Sequence, residues 1–211
     1  MSRILIPFHC EQCGRMHKKA VYDGVDVSKE PQYRAKVMDA SIFDFVCPSC
    51  GYVNGIIYPF LYHDRARRFM VQLVDSSVTG DPFVDIFSGD SEQEEAMRMV
   101  AENMKSTYRL RTVRTPNDLM EKISVFEAGY DDRALEYLKN DLIAADPRIE
   151  HLYYAPTDQG PVFLVEEEEG FTRSIPLDPK AYETMLAKVS QLDDHETEID
   201  QNWAARMRSA A

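Results

Sequence analysis

Strand-like alternation dominates the first third of the chain, and helical spacing governs much of the remainder. Residues 3–8 form a short extended run and residues 16–23 a second one. Ser28, followed by Pro31, reads as the N-cap and first turn of a short helix with Val37 and Met38 facing inward. Ser41-Ile42-Phe43-Asp44-Phe45-Val46 is aromatic and β-branched and predicts a strand, as do residues 52–62 and 68–74. In the last of these, Phe69, Val71 and Leu73 alternate with Met70, Gln72 and Val74. Pro59 confines the middle of 52–62 to an edge or a bulge, because proline has no N–H for the ladder.

Residues 75–90 read as a connection marked by Ser76, Ser77, Gly80, Pro82 and Gly89, with a short apolar patch at Phe83, Val84, Ile86 and Phe87. Ser91 with Glu94 forms a capping box that opens a helix to about Ser106, with Ala96, Met97, Val100 and Met104 as its buried stripe. A strand is expected over 108–113. Thr115 caps the next helix, with Pro116 at its first position and Asp118 at the positive end of the dipole. Leu119, Ile123 and Phe126 line one face of it, and Gly129 ends it. Asp131 or Asp132 caps a following helix with Leu135, Leu138, Leu142 and Ile143 apolar, closing before Pro147; the two helices predict a helical hairpin. Residues 152–155, 162–166 and 171–175 then read as an antiparallel meander with turns at Asp158-Gln159-Gly160 and Glu169-Gly170. Asp178-Pro179 opens a helix with Tyr182, Leu186 and Val189 inward. The tail from Asp193 is polar, with a lone Trp203, and reads as a loose helix or a disordered end.

The order of elements predicts an α+β protein. A zinc-ribbon-like β module with a short inserted helix occupies 1–75, a connection with helix and strand 76–114, an α+β region 115–192, and a polar tail 193–211. A length of 211 residues accommodates one large or two small domains. No run approaches 18 consecutive apolar residues, so no membrane span is expected. The apolar stretch in residues 1–8 is too short for a signal peptide, which points to the cytoplasm. Charge divides unevenly: residues 1–74 hold ten Lys/Arg against seven Asp/Glu, and 75–211 hold fourteen against twenty-nine. That acidic remainder repels phosphate backbones and argues against nucleic acid as the partner of the whole chain.

Candidate chemistry concentrates in the cysteines. All four fall in two matched pairs, Cys10-Glu11-Gln12-Cys13-Gly14 and Cys47-Pro48-Ser49-Cys50-Gly51. Two intervening residues let a tight turn aim both sulfurs at one point, and the following glycine permits φ > 0 so that its N–H can point back at the sulfurs. In a reducing compartment, matched pairs of this kind read as one tetrahedral four-cysteine metal site, zinc in first place. A reducible disulfide within each pair is the weaker alternative. Four sulfurs leave no open position for an activated water, so the site is expected to be structural. Arg15, Lys18 and Lys19 are candidates to offset its negative charge. The same ligand set holds iron, and Cys-Pro-x-Cys-Gly resembles the knuckles of the electron-carrying rubredoxins, though only over the knuckle itself.

The order Ile6-Pro7-Phe8-His9-Cys10-x-x-Cys13-Gly14, Phe45-x-Cys47-Pro48-x-Cys50-Gly51 and Tyr58-Pro59-x-Leu61-Tyr62-His63-Asp64 resembles the bacterial CpXC domain. The resemblance covers residues 3–75, together with the helices from Leu119 to Leu138 that often follow. It implies a cytoplasmic zinc-ribbon-like module and carries metal ligation onto Cys10, Cys13, Cys47 and Cys50. Glu11 stands where the second pair has Pro48, which leaves ligation untouched. It implies a fold and a metal, not a mechanism.

Other candidates carry less. His9, His17 and His63 fit imidazoles at the surface or beside the sulfurs better than a fifth ligand. Tyr62-His63-Asp64 has no nucleophile beside it and reads as a polar turn before a strand. Arg65, Arg67 and Arg68 with Lys18 and Lys19 form a candidate phosphate patch, although a solvated loop is the commoner explanation of such a cluster. Glu166 to Glu169 lacks the interleaved spacing of a calcium loop and reads as an acidic hairpin turn. No nucleophile–base–orienter pattern occurs. The expected role is a non-enzymatic interaction or regulatory module with a protein partner. The alternatives are a nucleic-acid-binding ribbon and a rubredoxin-like iron electron carrier.

Overall fold

Both cysteine pairs sit at the tips of antiparallel hairpins. The computed structural model describes residues 3–75, 82–83, 104, 106–192 and 196–209. The chain is α+β and divides into two units, Met1–Pro116 and Asn117–Ala211. The first contains strands β1 (Arg3–His9), β2 (Met16–Tyr22) and β3 (Gly24–Asp26), helix α1 (Gln32–Met38), and strands β4 (Asp44–Val46), β5 (Val53–Gly55), β6 (Phe60–Asp64), β7 (Phe69–Leu73) and β8 (Arg109–Val113). β1 pairs with β2 in a register running from Arg3↔Tyr22 to His9↔Met16, and β4 pairs with β5 through Phe45↔Asn54. The two hairpins meet through Phe8 and Phe45, whose rings lie edge to face at 4.2 Å.

The same unit holds a mixed sheet of order β3-β6-β7-β8. β3 and β6 are parallel, β6 and β7 antiparallel, and β7 and β8 parallel. All five residues of β7 are buried, so the alternation at 68–74 locates a strand covered on both faces rather than one with a wet side. The strand expected over 108–113 is found at Arg109–Val113 and is the fourth of this sheet. A parallel partner needs a crossover, and of its described residues Phe83 and Met104 pack against Met70 and Leu110. The expected capping box at Ser91 and Glu94, and the stripe at Ala96, Met97 and Val100, lie outside the described residues.

Some local expectations fail, and each of the following does so for a physical reason. Ser28 does not cap α1; Pro31 occupies that position. The Ser28 hydroxyl instead accepts the amides of Arg65 and Ala66 and ties down the β6–β7 turn. Ser41–Phe43 is a 3-10 turn entered from a left-handed Ala40, which leaves only Asp44–Val46 as strand. The run 52–62 is two strands, β5 and β6, broken around Pro59.

The second unit contains α2 (Pro116–Glu127), α3 (Asp132–Ala145), β9 (His151–Ala155), β10 (Val162–Glu167), β11 (Gly170–Pro176), α4 (Pro179–Val189) and α5 (Gln201–Ser209). The strands form an antiparallel meander of order β11-β10-β9. Asp131 caps α3 by accepting the Arg133 amide, and Asp178 caps α4 by accepting that of Lys180. Gly129 ends α2 with φ 79°. The polar tail carries an anchor: Trp203, only 1% exposed, packs with Ala134, Tyr137, Val189 and Ile199. The tail reads as polar because a single nine-residue helix buries one stripe and leaves the rest in water.

One part of this unit has no counterpart in the sequence reading. Glu121, Lys122, Asp132, Glu136 and Lys139 are all buried. Lys122 reaches Asp132 at 3.1 Å and Glu136 at 3.0 Å; Lys139 reaches Glu136 at 3.0 Å and Glu121 at 2.6 Å. The alternating chain of charges ends where Glu121 accepts the Tyr154 amide, linking α2, α3 and β9. Burial works against a proton on Lys122, and the Glu136 and Asp132 carboxylates reverse that and hold it above the ordinary lysine range. Burial likewise pushes Glu121 upward, against the pull of Lys139.

Candidate metal centre

The first knuckle joins β1 to β2 and the second joins β4 to β5, and each is closed by the same pair of backbone bonds. The Gly14 N–H donates to the Cys10 carbonyl at 2.8 Å, and the Gly51 N–H donates to the Cys47 carbonyl at 2.9 Å. The Cys10 amide donates to the Arg15 carbonyl at 3.0 Å, and the Cys47 amide to the Tyr52 carbonyl at 2.8 Å. Gly14 and Gly51 take φ of 67° and 78°, the left-handed conformation the turn requires. Their amides therefore close the turn on a carbonyl and not, as expected, on a sulfur.

This repetition brings four sulfurs together, all within 4.8 Å of one another. Cys10 Sγ lies 3.6 Å from Cys50 Sγ, and Cys13 Sγ lies 3.8 Å from Cys47 Sγ. A tetrahedral ion with metal–sulfur bonds of about 2.3 Å spaces its ligands about 3.8 Å apart, so the donor set fits such an ion. Cys10 and Cys47 are buried, while Cys13 and Cys50 face outward.

Crowding drives Cys10 and Cys50 apart. Burial would raise Cys10, but the amides of Cys13 and Gln12 and the neighbouring thiols Cys47 and Cys50 lower it to about 6. Cys50 gains from the Tyr52 amide, yet burial and the thiols Cys10, Cys47 and Cys13 push it up to about 12. Four like charges cannot collect at one point without a cation to hold them.

Neighbouring groups complete the cage. Asn54, 2% exposed on β5, accepts the Glu11 amide at 2.9 Å and directs its Nδ2 at Cys10 Sγ, 3.7 Å away, and at the Tyr52 carbonyl, 3.2 Å away. It braces one knuckle against the other, and the sequence reading missed it; its register opposite Phe45, just past the second pair, was the available signal. His17 Nε2 is 3.3 Å from Cys47 Sγ. His9 turns to the Gly14 carbonyl at 3.4 Å. His63 belongs to β6 in the mixed sheet, where its ring packs against Tyr108. Of the expected counter-charges, Lys19 is committed to the Asp44 carbonyl and the Phe45 ring. Arg65 and Arg67 are paired with Asp26 and Asp64, which commits two of the cations of the candidate phosphate patch to carboxylates of the fold. Asp64, bonded to the Arg67 guanidinium and amide, likewise serves the β6–β7 turn. Glu168 and Glu169 lie in the β10–β11 turn, as their acidic hairpin reading requires.

A family model described as CpXC protein matches residues 8–139, more than half of the chain and through most of α3. No curated protein and no solved structure matches it.

Proposed function

The chain belongs to the CpXC family, and from that premise we propose that it is a zinc-binding protein whose metal is structural, held by Cys10, Cys13, Cys47 and Cys50, and that it acts as a non-enzymatic interaction or regulatory module in the cytoplasm. The observation that carries this reading is the closed set of four sulfurs at the tips of two short hairpins. Two-stranded hairpins are marginal in water by themselves, and a bound ion would fasten both. Structural zinc contributes apparent free energies of about 10–16 kcal/mol in comparable peptides, enough to decide whether such a module folds. Zinc and iron both accept four thiolates; a closed set of four cysteines is most often a structural zinc site. No helix among the described residues is long and apolar enough to cross a membrane.

Elemental analysis of the purified chain, with thermal melting before and after chelation, tests the metal. One zinc per chain, a colourless sample and a lower melt on chelation are expected. A preparation without stoichiometric metal, or a Cys47→Ser chain that melts like the parent, would overturn the reading. A coloured sample bleached by reduction would replace zinc with iron. The interaction role is tested by alanine scanning of exposed ribbon residues. It fails if every partner recovered with the parent chain is recovered with each variant.

A further inference from the structure

Resting on that interaction role, we propose that the outer face of the β1–β2 hairpin is the docking surface and that it takes an acidic segment with apolar side chains from a partner protein. The hairpin has two unlike faces. Inward, Phe8 and Val21 are buried, and His17 and Lys19 reach the second hairpin. Outward, Leu5 stands opposite Ala20 and Pro7 opposite Lys18, with Met16 at the knuckle end. Leu5 is 68% and Met16 59% exposed, among the most exposed large apolar side chains described. Strand alternation needs only one apolar face, so it does not by itself call for apolar groups there. Exposed apolar groups gathered on one face mark an interaction site more often than scattered ones do.

Charge selects the occupant. Among the described residues Lys18 enters no hydrogen bond or ion pair, and no outward position on either strand is Asp or Glu. Arg3 adds a second cation at the open end, where it lies over the Tyr22 ring. A partner bearing carboxylates beside apolar side chains answers both features. A symmetric second copy would set this cationic face against itself. A nucleic acid would find an aliphatic centre in place of a stacking platform, on a chain of net charge −12.

The test uses the full zinc-loaded chain and three synthetic peptides of equal length, followed by amide shifts in NMR: alternating Leu/Asp, alternating Leu/Lys, and Asp alone. The Leu/Asp peptide is expected to shift the amides of Leu5, Met16 and Lys18, and to bind at least about tenfold more tightly than either control, the equivalent of about 1.4 kcal/mol. Leu5→Ser and Lys18→Glu should each weaken it by a similar factor, with zinc content unchanged. Equal binding of the Leu/Lys or Asp peptide, shifts confined elsewhere, or indifference to both substitutions overturns the proposal. So does self-association that Leu5→Ser abolishes, which would make a second copy the occupant. If Leu5→Ser keeps every partner in the alanine-scanning experiment while other ribbon variants lose them, this face falls and the interaction role stands.

Discussion

Asn54 receives the backbone amide of Glu11 at 2.9 Å, so a side chain from the second hairpin fixes the turn of the first. Its amide nitrogen is directed at Cys10 Sγ. The one residue thus supports the geometry of both knuckles without offering a ligand of its own.

Asn54→Leu should therefore keep all four thiols and lose precision in placing them. Zinc affinity is expected to drop by about 10–100-fold, the range seen when supporting groups are removed from metal sites. Competition against a chromogenic chelator measures it; an unchanged affinity would make Asn54 a packing residue only.

Metal affinity should rise with pH. The metal-free cluster retains the Cys50 proton near neutrality, because that thiol is pushed up to about 12, although Cys10 is lowered to about 6. Binding must displace that proton. Titrations at about pH 6 and about pH 8 should give tighter binding at the higher value, with proton release detectable in a weakly buffered solution.

The buried charges of the second unit are expected to be unforgiving toward removal of one member. Lys122→Met leaves Asp132 and Glu136 without their shared cation and should cost about 3–5 kcal/mol in denaturant unfolding. Glu121→Gln should cost less, because burial already moves Glu121 toward its neutral form and glutamine still accepts the Tyr154 amide.

His63 gives a pH signature in the first unit. Burial holds its imidazole below the ordinary 6.5, against the pull of Asp26. The unfolded chain then takes up a proton before the folded one does. Stability from this group is complete above 6.5 and falls as pH drops through the folded value. With zinc saturating, the parent should lose more stability between about pH 7.5 and about pH 5.5 than His63→Phe does. Parallel losses would remove His63 as the cause.

Much of this was readable locally. The Cys-x-x-Cys-Gly spacing names the four clustered sulfurs, and Pro116, Asp131 and Asp178 mark helix starts because caps are formed by adjacent residues. What stayed hidden depends on distant pairing. Ser28 resembles a cap yet serves a turn 37 residues away. Asp132, Glu136 and Lys139 look like the wet side of an amphipathic helix, and only their partners Lys122 and Glu121 on the preceding helix reveal that this side is dry. The parallel pairing of β3 with β6 has no local sign at all, since the strands are joined through α1 and the second knuckle.

Trp203 is the sole tryptophan of the chain and lies in the core of the second unit, whereas the four sulfurs lie in the first. Indole emission and the ultraviolet charge-transfer band of a metal–thiolate centre therefore watch separate parts of one molecule. Recording both during stepwise zinc removal would tell whether the halves behave as independent bodies or transmit the event, with no label added to either.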